Sequence, residues 1–123
     1  MKSIGILSAA ALMIAGQCLP VFAAPAPPSA TAIVGADGTL AGGLGAASAA
    51  HTATGIYTVT FNDPDIPTAC AYSASIGMMT LGQAVPMGLV NVSAGTTAGT
   101  IIVYTYDKHE IAADLPFQVY VAC

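Results

Sequence analysis

Positive charge is nearly absent from this chain. Lysine and arginine together number 2 against 6 carboxylates in 123 residues, and the net charge is −4 with histidines neutral. Lys2 stands in the N-terminal stretch, so Lys108 is the only cation after Ala23. One cation cannot track a phosphate backbone or hold a polybasic attachment to anionic lipid, which makes nucleic acid and anionic lipid poor partners. Charged residues of either sign make up 7%, where about 25% is usual for soluble domains. Exposed polarity must come from Thr, Ser, Asn and Gln, and such surfaces favour association.

Chemistry-bearing residues are equally scarce. There are 2 histidines, His51 and His109. Asp107-Lys108-His109-Glu110 reads as a solvated turn, since zinc needs three or four N/S ligands at set spacings. Asn62, Asp63 and Asp65 lack the glycine and distal glutamate of a calcium loop and fit ordinary Asx turn chemistry beside proline. Gly42-Gly43-Leu44-Gly45 is followed by neither a Lys-Ser/Thr pair nor a helix, so it is no phosphate cradle. Gly-x-Ser-x-Gly and Ser-x-x-Lys are missing. Asp107, Glu110 and Asp114 share one exposed connection, with nothing to separate their pKa values. The sequence predicts no catalytic residue, no metal and no cofactor. Asn91-Val92-Ser93 matches a glycosylation sequon, relevant only to a eukaryotic secretory route.

The N-terminus reads as an export signal over residues 1–23. Lys2 supplies a positive charge, Ile4 to Gly16 an apolar core, and Val21-Phe22-Ala23 small residues at the −3 and −1 positions. This stretch is shorter than the roughly 20 apolar residues that span a bilayer, so no membrane insertion follows cleavage. Lipidation of Cys18 is the competing reading; Gln17, directly before it, argues instead for cleavage after Ala23. Removal of the signal takes Cys18 with it and leaves Cys70 and Cys123, an even pair as an exported disulfide requires. Both fall on inward positions of expected strands. The alternatives are two buried thiols, or a Cys123 that crosslinks subunits.

Residues 24–30 are a Pro/Ala-rich tether, because proline fixes φ and removes donors. Residues 31–123 form one domain. Thr31 to Val34 is a short strand, Asp37-Gly38 a turn, and Thr39-Leu40 the start of the return. Gly42, Gly43 and Gly45 make 41–50 an irregular or bulged strand. Period-2 alternation is clearest at Tyr57, Val59, Phe61 against Thr58, Thr60, and recurs in Cys70–Ile76 and Phe117–Cys123. Leu89 to Ser93 and Thr100 to Tyr106 complete the set. About seven short strands and no helical period predict an all-β fold, a single antiparallel β-sandwich of immunoglobulin-like or jelly-roll-like type. Between Gly77 and Gly88 lies an apolar loop whose Met78, Met79, Leu81 and Met87 are candidate partner contacts, since thioethers adapt to irregular surfaces. The same loop could simply close the core.

The order of motifs is Ala36-Asp37-Gly38-Thr39-Leu40, Gly55-x-Tyr57-x-Val59-x-Phe61-Asn62, Cys70-Ala71-Tyr72 with Ile76-Gly77, Tyr106-Asp107, and Asp114-x-Pro116-Phe117-x-Val119-x-Val121-x-Cys123. Over about residues 30–123 this resembles uncharacterised bacterial secreted or surface proteins that end in a small β-sandwich with a terminal cysteine. The resemblance implies an all-β module with a Cys70–Cys123 pair and no catalytic residues. Where such modules often place glycine in the turn before the last strand, this chain has His109-Glu110-Ile111. A looser similarity, to trimeric jelly-roll heads of fibres and collagen-like proteins, rests on the Tyr-x-Val-x-Phe strand alone.

The sequence thus predicts a secreted, periplasmic or cell-surface structural or binding module that is not an enzyme. Its partner would be itself, as a homo-oligomer or fibre, or a cell-surface component. A soluble carrier of a small apolar ligand is the alternative, and would need a hollow; a small secreted enzyme is the weaker one, because no nucleophile, base and orienting group occur together.

Overall fold

The computed structural model describes residues 29–66, 70–77, 82 and 84–123. The expected signal peptide, most of the tether, and Met78, Met79 and Leu81 lie outside them. All regular structure among the described residues is β: β1 (Ser29–Val34), β2 (Leu40–Leu44), β3 (Ala46–Ala53), β4 (Ile56–Phe61), β5 (Ala71–Ile76), β6 (Gly88–Ala94), β7 (Thr100–Asp107) and β8 (Phe117–Ala122). They build two four-stranded sheets, ordered β2-β1-β8-β5 and β3-β4-β7-β6, and every pairing is antiparallel. The architecture is the β-sandwich that the alternating pattern predicts, with eight strands rather than seven because the glycine-rich stretch contributes two.

That stretch links the sheets. β2 pairs with β1 and β3 with β4, and only Gly45 separates them, at a φ of 77° that favours glycine. Two residues earlier Gly43, at φ 140°, passes so close to the Thr31 carbonyl oxygen that no Cβ would fit. The Asp37-Gly38 turn closes β1 onto β2 as predicted, with the Thr39 N–H donating to Asp37 Oδ1 at 2.9 Å and Gly38 at φ 92°.

Alternation decides which residues meet between the sheets. Ala32, Val34, Tyr57, Val59, Ile101, Val103, Phe117 and Val121 are fully buried. Cross-strand register sets Ala32 against Val119, Tyr57 against Val103 and Val59 against Ile101. At the centre the Tyr57 and Phe117 rings meet edge-on, 5.0 Å between centroids, an arrangement aromatic quadrupoles favour. The Tyr57 hydroxyl escapes isolation by donating to the Ala36 carbonyl at 2.7 Å. Ile66 plugs one end; its carbonyl accepts from Gly99 N, and the Gly99 carbonyl accepts from Phe61 N at 2.7 Å.

Cys70 and Cys123 are disulfide-bonded, 53 positions apart in sequence with Cα atoms 4.1 Å apart. The bridge sits just beyond the last register pair of β5 and β8, Ala71 opposite Ala122. It therefore fastens the end of a ladder between an edge strand and the interior strand β8. Both cysteines pack against the core, and Tyr72, Ala74 and Ile76 face inward from β5 as the alternation requires.

Candidate functional site

Two places gather groups that could do something. The first is a lock at one end of the sandwich. His51 Nε2 lies 2.9 Å from Asp114 Oδ1, and the same oxygen accepts the Gly55 N–H at 2.6 Å. The His51 ring lies 5.0 Å from the Tyr57 ring. A Cβ on Gly38 would strike the His51 backbone nitrogen and Cβ, so the turn 35–38 rests directly on β3. The Asp114 carboxyl is held below its ordinary 3.8, chiefly by the Gly55 N–H, with the His51 bond adding to it. The cluster joins the β1–β2, β3–β4 and β7–β8 connections. Its bonds go to neighbouring backbone and ring groups, which makes it a fastening. Nothing in the sequence marks the pair, since 63 positions separate its members.

The second place is the corner where β6 and β7 begin and end. Gly88 stands opposite Asp107 and Leu89 opposite Tyr106. The Asp107 N–H donates to the Ile111 carbonyl at 2.9 Å, and Tyr106 bridges to Ala112. Leu89 is thereby placed on one side of Tyr106 and the Ile111–Ala112 segment on the other. Met87 is 75% exposed, Ile111 63% and Leu89 51%. Met87 and Leu89 stand two residues apart where β6 begins, and exposed apolar side chains placed together are informative where scattered ones would not be. A pocket of about 310 Å³ opens here, lined by Leu89, Val90, Asn91, Tyr106 and Glu110.

The turn that carries Glu110 is built by Asp107, as a solvated Asx turn. Its Oδ1 accepts the His109 N–H at 2.8 Å and the Ile111 N–H at 3.1 Å. These bonds, the Ile111 one foremost, hold the Asp107 carboxyl below its ordinary value. Glu110 takes a φ of 66°, alone among the described non-glycine residues in that region. Glycine adopts this conformation freely, whereas a glutamate takes it at a cost of about 1 kcal/mol.

Of the predicted contacts, Met87 is at this corner and exposed; Met78, Met79 and Leu81 fall outside the described residues. Leu89, Ile111, Tyr106 and Glu110 were not predicted. Leu89 reads as an ordinary strand residue and Glu110 as a turn residue, and only the β6–β7 register sets Leu89 opposite Tyr106.

The sheet edges differ in how open they are to another chain. Along the linked β2–β3 edge the register shifts between Ile33 and Val34, between Ala46 and Ser48, and between His51 and Ala53. Such bulges interrupt a pairing template. β6 instead runs in unbroken register with β7 from Gly88 to Ala94 and carries no charge. Comparisons with protein-family models, with curated proteins and with solved structures find no match for this chain.

Proposed function

We propose that this protein is an exported, non-enzymatic structural or binding module that acts at the cell exterior by association, through the β6–β7 corner. The observation that carries the reading is the exposure of Met87 and Leu89, two residues apart, with Leu89 lining a pocket, in a chain with 7% charged residues. Apolar side chains gathered at one place on a surface this poor in charge favour contact with another surface. The disulfide supports an oxidising compartment, and the expected signal peptide supports export. The resemblance to bacterial secreted and surface proteins points the same way. The carrier alternative draws less support, because the space between the sheets is filled by Tyr57, Phe117 and aliphatic side chains.

Light scattering on the purified exported protein across a hundredfold concentration range tests the reading. A mass that rises with concentration in the parent, and stays at one subunit in Met87→Ser/Leu89→Ser, is expected. Single subunits at every concentration, together with no retention on cell-surface material, would refute it.

A further inference from the structure

The same corner carries matched features that lead from association in general to one occupant. Met87 is exposed two residues from Leu89, which lines the pocket with Tyr106 and Glu110, so knob and hole are neighbours along the chain. Lys108, the only cation after Ala23, is exposed on the same turn as the Glu110 carboxylate. A two-fold interface joins a patch to itself: residue i of one subunit meets residue j of the other, and j meets i. A surface with a knob beside a hole and a cation beside an anion meets that requirement.

Resting on the reading above, we propose that the occupant is a second copy of this chain, docked about a two-fold axis at the β6–β7 corner. Met87 of each subunit enters the pocket of the other, and Lys108 meets Glu110 of the partner subunit. The flexible thioether suits an irregular pocket. The charges set register and orientation, as rim charges do at interfaces. The left-handed backbone at Glu110 gains a reason: the turn accepts strain where glycine would relieve it, and keeps a carboxylate beside the pocket. The rest of the chain has no other lysine or arginine to compete for that carboxylate once Lys2 is removed.

Charge exchange tests this, read by sedimentation of the purified exported protein at low salt. Lys108→Glu presents two carboxylates at the contact and Glu110→Lys two ammonium groups, so each variant alone should dissociate at least tenfold more readily than the parent. An equimolar mixture of the two restores both pairs across the axis, and should sediment as a heterodimer with parental affinity. The double variant, Lys108→Glu with Glu110→Lys, should also recover. All these positions are exposed, and unchanged thermal melts verify folding. Single variants that self-associate like the parent, or a mixture no tighter than its components, would overturn the two-fold contact. If these charge variants fail while Met87→Ser/Leu89→Ser abolishes assembly, the corner is still the contact and only this occupant and geometry fall. Assembly that survives Met87→Ser/Leu89→Ser defeats both.

Discussion

Replacing both cysteines by alanine, Cys70→Ala/Cys123→Ala, removes the bridge without leaving a thiol to mispair. The bridge closes a loop of 53 positions, and chain entropy assigns such a loop roughly 4 kcal/mol of stabilisation, through restriction of the unfolded state. That is a large share of the roughly 5–15 kcal/mol available to a small domain. The β5–β8 ladder it fastens keeps its register pairs from Ala71–Ala122 to Ile76–Phe117, so the fold should survive, weakened. At about 4–8 °C per kcal/mol for a domain of this size, the melting midpoint should fall by roughly 15–30 °C. Urea titration followed by circular dichroism gives the free energy directly. A loss under about 1 kcal/mol would refute the reasoning, because the unfolded chain would then be as restricted without the bridge as with it. The parent should also show no titratable thiol from Cys70 or Cys123 until reduced.

Other outcomes follow from single positions. Val59 is fully buried while Thr58, on the opposite face of β4, is partly exposed; Val59→Asp should abolish folding by burying an unpaired charge, and Thr58→Asp should cost about 1 kcal/mol or less. Equal tolerance in thermal melts would show the register to be wrong. Glu110→Gly should relieve the left-handed strain and stabilise the subunit by about 0.5 kcal/mol, net of the entropy glycine adds to the unfolded chain, while weakening assembly; stability and sedimentation then move in opposite directions. The Asp114 carboxyl is held below its unfolded value by the Gly55 N–H and His51. Its contribution is therefore present above the ordinary 3.8 and lost as pH falls through the lower folded value. Asp114→Asn should flatten the acid limb of a stability–pH curve and leave a smaller difference from the parent at low pH than at pH 7.

The fold was legible because burial on one face forces period-2 alternation. Tyr57, Val59 and Phe61, and Phe117, Val119 and Val121, announce β4 and β8 and their inward faces. The cysteine pair was legible from the same alternation. What escaped was whatever depends on how the strands lie together. The stretch 41–50 reads as one irregular strand, yet Gly45 bends it from one sheet into the other. His51 and Asp114 carry no local sign of each other, being brought together by three connections folding onto one end. At the corner Met87 was suspected on composition alone. The pocket that joins Leu89 to Tyr106 and Glu110 became visible only through the β6–β7 register and the Asp107-built turn.

Amide chemical shifts of the isotope-labelled protein, followed on dilution, test the central claim most directly. If association at the β6–β7 corner is what this protein does, shifts should move in residues 87–91 and 106–111 and stay fixed along β2 and β3. No movement anywhere, or movement confined to the β2–β3 edge, would contradict it.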